Sequence, residues 1–420
     1  MGDEQSRQAG DGVAPRPDEP DLAERAVALL RSREIQAARR YLLDTDARTL
    51  REQWELTEIP APPFGEEPRG RRMAELMDQA GLVEVRADTV GNVLGRLPGP
   101  EGPPFIIAAH LDTVFPPGTD VRVRHEGDRL RGPGISDDGR GLAALLALAR
   151  TLVSCRLSLR RAVLFVATVG EEGSGDLRGV RHLFGPGGPG DQAAGFISLD
   201  GAGLDGLVTS GLGSIRYRFV ARGSGGHSWV DWGTPNPVHA LGAFVAAATA
   251  LDLPTRPTTT LTVGRWGGGT SINVIPQEAW VELEVRSEAA HVLDEMDEEV
   301  QRLAHLHVAR TNERSAPGTA PVTLRVEDVG RRPVGATDAS SLLVRAAMAA
   351  TAAVGATPGL ALSSTDANVP MSLGIPSLTM GAGGEAGHAH TTREWYRNVN
   401  GPDGILRALL TVLLATERDS

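Results

Sequence analysis

The spacing of apolar residues changes along the chain, and this pattern predicts alternating helices and strands. Residues 21–59 carry leucines and alanines at helical spacing, which predicts two helices. Residues 105–109 and 162–167 are short continuous apolar runs, typical of strands that are buried on both faces. Between them, the strongly apolar segment 141–154 predicts a helix. The order strand, helix, strand indicates βαβ units in an α/β sheet.

The middle of the chain has a different pattern, in which apolar and polar side chains alternate as they do in half-exposed strands. Such strands are predicted at 215–220, 260–263 and 280–286. The same module contains two predicted helices, at roughly 236–251 and 288–310, and a last strand at 322–326. The chain then returns to an apolar helix from about 339, a strand at 377–380 and a helix at 402–416. We therefore expect an α+β module inserted into an α/β domain.

The composition limits the classes of partner. With 420 residues, the chain is longer than one hydrophobic core usually serves, so we expect two or three domains. Its 53 acidic and 42 basic residues give a net charge of −11, which disfavours nucleic acid and anionic membranes as partners. All 42 basic residues are Arg, which excludes a mechanism based on a Lys Schiff base. No segment has the roughly 18 consecutive apolar residues of a membrane span.

Cysteine usage and the first residues favour a cytoplasmic location. Cys155 is the single cysteine, which excludes an intrachain disulfide and a cysteine-based zinc site. Residues 1–20 are polar and rich in glycine, proline and acid, without the apolar core of a signal peptide. We expect a disordered tail at 1–20 and a protein of the cytoplasm.

Acidic residues and histidines gather at the ends of predicted strands and in loops, where α/β proteins place ligand sites. They occur in AAHLDT (His110, Asp112), GPGISDDGRG (Asp137, Asp138), VGEEGSG (Glu171, Glu172), SLDG (Asp200) and GHAHTTREW (His388, His390). Taken singly, each has an ordinary explanation: a hydrogen-bonded loop histidine, a helix cap or a solvated turn. Together, carboxylates that converge on one rim repel each other unless a cation neutralises them. Histidines with several carboxylates are the ligand set of a dinuclear zinc site.

These five motifs, in this order, resemble the M20 family of zinc exopeptidases and amidohydrolases over nearly the whole chain beyond the tail. The resemblance implies a mixed α/β sheet flanked by helices, with an inserted ferredoxin-like lid and dimerisation domain. The implied divisions are a tail at 1–20, a catalytic domain at 21–212 and 329–420, and the lid at 213–328. The implied cofactors are two Zn²⁺ ions per subunit, with Co²⁺ or Mn²⁺ as substitutes.

The resemblance also implies roles for the motif residues. The metal ligands are His110, Asp137 as the bridging carboxylate, Glu172, Asp200 and His390. Asp112 would orient the imidazole, because residues i and i+2 of a strand lie on one face and its carboxylate can reach the free ring nitrogen. Asp138 would be a cap or lie behind the ligands, Glu171 would be the general base, and His388 would shape the loop.

In the lid, His227 resembles the histidine that reaches the partner subunit's active site and stabilises the oxyanion. Asn273 and Arg286 resemble substrate-contacting residues, and Arg offers a planar fork for a carboxylate. The alternatives are that His227 is a loop residue at a strand end and that Arg286 is merely solvated. A homodimer through the lid is implied by the resemblance alone.

The implied function is hydrolysis of peptide or amide bonds in small substrates. The stretch SSTDAN at 363–368 resembles the peptidase T-like branch, which favours a di- or tripeptidase that acts from the N-terminus. An N-acyl or N-carbamoyl amino-acid amidohydrolase is the enzymatic alternative, because the same metals would serve it. A metal-free binding scaffold is the alternative outside catalysis, and its sign would be a gap among the ligands.

Overall fold

The structure is a computed structural model that describes residues 21–416, so the tail expected at 1–20 lies outside it. The helices are α1 (Leu22–Arg31), α2 (Arg33–Asp44), α3 (Asp46–Thr57), α4 (Glu67–Gln79), α5 (Gly139–Ser154), α6 (Arg178–Leu183), α7 (Pro237–Ala248), α8 (Ala290–Glu313), α9 (Leu342–Ala353), α10 (Asn368–Ser372) and α11 (Gly401–Thr416).

Nineteen strands lie within the described residues. They are β1 (Val83–Ala87), β2 (Val93–Leu97), β3 (Phe105–His110), β4 (Arg124–Glu126), β5 (Arg129–Arg131), β6 (Val163–Thr168), β7 (Gly195–Leu199), β8 (Gly206–Gly211), β9 (Gly213–Arg222), β10 (Gly226–His227), β11 (Thr259–Gly268), β12 (Val274–Ile275), β13 (Glu278–Ser287), β14 (Thr323–Arg332), β15 (Gly335–Ala336), β16 (Gly359–Ser363), β17 (Ser377–Met380), β18 (Glu385–Gly387) and β19 (Trp395–Arg397).

The largest sheet has nine strands and mixes parallel and antiparallel pairs. Its order is β1-β2-β6-β3-β7-β17-β8-β15, and β16 pairs with β8. At its centre β6, β3, β7 and β17 run parallel to one another, and every residue of these four strands is buried. Parallel strands need cover on both faces, which explains their continuous apolar runs. This mixed sheet flanked by helices confirms the predicted fold class.

The α5 helix is the main cover of this sheet. Its residues from Gly139 to Leu152 are all buried, and the predicted helix at 141–154 is confirmed. α9 and α11 pack against each other and contribute leucines and alanines to the same hydrophobic core. These helices therefore cover the buried strands whose ends carry the acidic motifs.

A second, antiparallel sheet forms the middle module, in the order β11-β13-β9-β14. Burial alternates residue by residue along β13, as the sequence pattern predicted. α7 and α8 cover the buried face, where Phe219 lies 4.8 Å from Phe244, ring centre to ring centre. The last strand continues to Arg332, past the boundary expected at 328.

Two expectations about the elements were wrong. Residues 21–59 form three helices and not two, because the chain turns to extended backbone at Ser32 and breaks again at Thr45. The Ser32 hydroxyl accepts a hydrogen bond from the Ile35 amide, a helix cap that apolar spacing does not reveal. The region around 385–397 is not merely a loop, since β18 and β19 join β5 and β4 in a small sheet.

Across residues 21–416, none of the helices combines the length and the apolar character needed to cross a bilayer.

Candidate metal centre

The acidic motifs meet at the carboxyl edge of the parallel strands. His110 is the last residue of β3, Glu171 and Glu172 follow β6, and Asp200 follows β7. Asp137 arrives from the loop before α5. Because neighbouring parallel strands end on the same edge, residues distant in sequence share one small region.

Asp137 is the centre of this cluster. Its Oδ1 lies 3.0 Å from Nε2 of His110, and its Oδ2 lies 2.9 Å from Nε2 of His390. His390 Nε2 is also 3.0 Å from Oε1 of Glu172, while His110 Nε2 is 3.9 Å from Oδ1 of Asp200. The contacts thus form two groups of three residues, which share the Asp137 carboxylate.

Main-chain contacts fix the orientation of the His110 imidazole. Its Nδ1 donates to the Asp112 carbonyl oxygen at 3.0 Å, because a carbonyl oxygen can only accept, and Nε2 is thereby directed at the Asp137 carboxylate. We expected the Asp112 carboxylate to make this contact, and that was wrong: its Oδ1 lies 3.8 Å from Nδ1. The carboxylate instead accepts the amides of Glu171 and Glu172, at 2.9 and 2.7 Å.

Asp138 acts as the cap that the sequence allowed. Its Oδ1 accepts the amides of Gly141 and Gly201 at 3.0 and 3.1 Å, and its Oδ2 accepts the His110 amide at 3.1 Å. Although this carboxylate is close to His110 and Asp200, main-chain hydrogen bonds occupy both of its oxygens. We therefore leave it out of the candidate ligand set.

The electrostatics of the cluster favour a cation. Burial, followed by repulsion from Asp137, raises the pKa of Asp200 to about 7. Hydrogen bonds to Asp137 and Glu172 raise the pKa of His390 to about 11. Crowded carboxylates are costly unless positive charge offsets them. One histidine and two carboxylates in each group form a nitrogen and oxygen donor set that suits Zn²⁺, Co²⁺ or Mn²⁺.

Glu171 is buried beside this cluster and contacts an arginine of the middle module. Arg332 donates from Nη1 to Oε1 of Glu171 and to Oγ of Ser364, each at 3.1 Å, and from Nη2 to the Glu171 carbonyl oxygen. Burial raises the pKa of Glu171 well above its ordinary value, and Arg332 opposes that shift. Glu171 is therefore an acid whose neighbours differ from those of Glu172.

The structure places His227 and Asn273 side by side on the middle module. His227 ends β10, Asn273 directly precedes its partner strand β12, and beside this pair the Ser228 amide donates to the Asn273 carbonyl oxygen at 3.1 Å. Nδ1 of His227 accepts the amides of Trp229 and Val230 at 3.2 and 3.4 Å. The proton of a neutral imidazole is then on Nε2, which leaves an exposed hydrogen-bond donor.

Arg286 is already engaged. Its guanidinium donates to both oxygens of Glu284, from Nε at 2.9 Å and from Nη2 at 3.0 Å. The Nε of Arg216 donates to the same carboxylate at 2.8 Å. The fork that we expected to bind a substrate carboxylate therefore binds a carboxylate of the protein, which a substrate would have to displace.

Comparison with known proteins identifies the family of this chain. The model of peptidase family M20/M25/M40 matches residues 106–415. The chain belongs to this family. It is therefore an M20-type hydrolase, as the ordered motifs predicted.

Named relatives and solved structures agree with the assignment to M20. The chain is 27% identical to a succinyl-diaminopimelate desuccinylase of Corynebacterium glutamicum over 58% of this chain and 68% of that protein. Aminopeptidase PepT of Bacillus cereus has a similar fold, with TM-score 0.66 and 21% identity over 88% of this chain and 97% of that one. The YxeP protein of Bacillus subtilis, described as a dinuclear metal-binding M20 peptidase, has TM-score 0.62 and 17% identity over 88% and 99%.

Two residues of the site were not predicted. Arg332 lies 161 residues from Glu171 in sequence, and GRRPVG offers no pattern that points to this contact. Asp366 is buried with its Oδ2 2.5 Å from the Thr168 hydroxyl, at the end of β6. Asp366 belongs to the SSTDAN stretch, but its contact with Thr168 joins segments 198 residues apart, which the local sequence does not reveal.

The two C-terminal histidines provide a matched test of the ligand set. We expect His390→Ala to weaken binding of Co²⁺ or Zn²⁺ more than about 100-fold. Loss of a residue that only hydrogen-bonds to a metal ligand already costs about 10- to 100-fold in metal affinity. His388→Ala is the control, because His388 is exposed on the same loop, whereas the contacts of this loop to Asp137 and Glu172 are made by His390. Calorimetric titration of metal-free protein measures both. A weaker affinity for His388→Ala than for His390→Ala would contradict the assignment.

Proposed function

We propose that this M20 protein uses two zinc ions to hydrolyse peptide or amide bonds in small substrates, as a di- or tripeptidase. The observation that carries the proposal is the Asp137 carboxylate, whose two oxygens face His110 and His390. A buried acid, Glu171, stands beside this arrangement without being part of either group. Two ligand groups with an adjacent acid are what metal-assisted hydrolysis requires.

The metal ligands divide between the two groups. His110 and Asp200 would hold one cation, Glu172 and His390 the other, and Asp137 would bridge them. When bound, two divalent cations lower the pKa of a water molecule and polarise the scissile carbonyl. The nitrogen and oxygen donors would also accept Co²⁺ or Mn²⁺.

Glu171 is the proposed general base. It takes a proton from the attacking water and returns it to the leaving amine, so that one residue serves both steps. Support comes from its separation from the ligands: Arg332 and the Asp112 carboxylate hold its side chain and its amide. A general base must be held near the reacting atoms, and its carboxylate must not be coordinated to a metal.

His227 is the proposed oxyanion donor, supplied by the partner in a homodimer through the lid at 213–328. The exposed Nε2 proton and the turn that fixes the ring support this role. Fixed donors aimed at a developing oxyanion stabilise the transition state. Asn273, beside His227, and Arg286 are the proposed substrate contacts.

The substrate is proposed to be a short peptide, because the likeness to PepT and the SSTDAN stretch both favour that class. The relative named a desuccinylase favours the second candidate, an N-acyl amino-acid amidohydrolase.

A substrate panel separates these two functions. Protein loaded with Zn²⁺ or Co²⁺ is expected to release free amino acids from di- and tripeptides, and N-acetyl and N-succinyl amino acids are assayed beside them. Preference for the acylated substrates would replace the first candidate by the second. Turnover of neither class, in protein that holds two metal ions, would contradict the proposed function.

Glu171 and Glu172 should fail differently when each is changed to Gln. Glu171→Gln is expected to keep two metal ions and lose about 10²- to 10⁴-fold in kcat, the usual contribution of a general base. Glu172→Gln is expected to weaken metal binding first, with activity partly restored by excess metal. Metal analysis and steady-state kinetics on the same preparations measure both. Exchanged phenotypes would reverse the two roles.

Complementation tests whether His227 acts across a dimer. His227→Ala and Glu171→Gln are each expected to be nearly inactive, since removal of one oxyanion donor costs about 10²- to 10³-fold in kcat. In a mixed dimer one site has both residues, so random exchange of subunits should restore about a quarter of wild-type activity. Exchange shown by mass spectrometry without recovery of activity would exclude the role in trans.

A further inference from the structure

Glu394 is a fully buried acid next to the candidate metal centre, and no role has been assigned to it above. It lies between the loop that carries His390 and β19. Its side chain reaches the loop before α5, where Asp137 lies 257 residues away in sequence. Glu394 therefore joins the two segments that supply the bridging carboxylate and the last histidine of the cluster.

Four hydrogen bonds fix this carboxylate. Oε1 accepts the amides of Ser136 and Asp137 at 2.8 and 2.9 Å and the Ser136 hydroxyl at 2.7 Å. Oε2 accepts the Gly134 amide at 2.9 Å. The main chain adds a further contact, because the Gly132 amide donates to the Glu394 carbonyl oxygen at 3.1 Å. The loop from Gly132 to Asp137 is thus shaped around one side chain.

The same residue ends the turn that carries His390. The Glu394 amide donates to the Thr391 carbonyl oxygen at 3.1 Å, and the Thr391 amide donates to the His388 carbonyl oxygen at 3.2 Å. β5 and β19 pair directly beside this point, with Arg131 opposite Trp395. A displacement of the Glu394 side chain would therefore change the distance between Asp137 and His390.

The charge of Glu394 is offset in an unusual way. Its hydrogen bonds in the described chain come from amides and a hydroxyl, and no ion pair with an arginine or histidine accompanies them there. Burial raises its pKa above the ordinary value, so the donors must offset a desolvation cost. An acceptor-only group suits this position, because the three amides and the hydroxyl that contact it are all donors.

We propose that Glu394 is a positioning residue, which sets the Asp137 carboxylate at the spacing from His390 that two bridged cations require. The inference rests on the proposed two-metal function. Glu394 itself touches neither metal nor substrate in this scheme. It acts through the Asp137 amide and through the turn that ends in its own main chain.

The test changes the acceptor into a side chain of the same shape. In Glu394→Gln the side-chain oxygen can still accept from Ser136 and Asp137, but the new NH2 group then faces the Gly134 amide, donor against donor, which strains the loop before α5. We expect the affinity for both Co²⁺ ions to fall about 10- to 100-fold, the range seen when partners behind metal ligands are removed. Both ions should be affected, because they share Asp137. Calorimetric and absorbance titrations of metal-free protein give affinity and stoichiometry without any substrate.

The control is Glu126→Gln, the same change at an exposed residue of β4 in the same small sheet. Its cobalt affinity should equal that of the wild type. A Glu394→Gln protein with wild-type affinity for two Co²⁺ ions would overturn the inference, even if its metal-free form melted at a lower temperature. A lower melting temperature with unchanged metal binding is what a merely structural residue would give.

A second variant covers the case in which Glu394→Gln does not fold. Ser136→Ala removes one of the four hydrogen bonds and leaves the three amides in place, so the loss of cobalt affinity should be smaller but measurable. If Glu394→Gln does not fold, wild-type cobalt affinity in Ser136→Ala would overturn the inference. Failure of the proposed function looks different: wild-type protein would bind two Co²⁺ ions and hydrolyse neither peptides nor acyl amino acids.

Discussion

The position of the Asp137 carboxylate is the constraint on which the rest of the site depends. Its two oxygens lie 3.0 and 2.9 Å from the imidazoles of His110 and His390, which come from opposite ends of the catalytic fold. β3 fixes the first histidine within the sheet, and the C-terminal loop brings the second. A carboxylate can bridge two cations only if the histidines on both sides are in place. The positions of the sheet and of the C-terminal loop must therefore match each other.

The site contains two kinds of buried carboxylate, which differ in their hydrogen-bond partners. Asp112, Asp138 and Glu394 are buried and accept hydrogen bonds from main-chain amides, which saturate their oxygens. Asp137 and Glu172 instead face histidine nitrogens, and so their oxygens are directed at the centre of the cluster. Main-chain amides cannot move away or exchange with solvent as a side-chain cation can. The first group therefore forms a rigid frame, and the second remains available to a metal.

Much of the fold and of the cluster could be predicted because local rules decide them. Continuous apolar runs identify the parallel strands, and parallel strands end at one edge, so His110 and Asp200 could be brought together from sequence alone. Contacts between distant segments could not be predicted. The Asp112 carboxylate accepts the amides of Glu171 and Glu172 and does not contact the imidazole. Arg332 contacts Glu171 because β14 packs against the loop that follows β6. The roles given to the candidate metal ligands, to Glu171 and to His227, Asn273 and Arg286 stay predictions, as do the domain divisions and the cytoplasmic location.

The contacts of the Glu171 loop connect the middle module to the candidate site. Arg332 holds the Glu171 side chain, the Arg331 amide donates to Oδ1 of Asp176 at 2.9 Å, and Arg216 donates to the Gly173 carbonyl oxygen at 3.0 Å. All three donors belong to strands of the middle sheet, whereas the loop follows the central strand β6. A rotation of the module about its connections would therefore change the neighbours of Glu171 directly. Residues of both modules therefore hold the proposed base, and the candidate ligand Glu172 lies on the same loop, between Glu171 and Gly173.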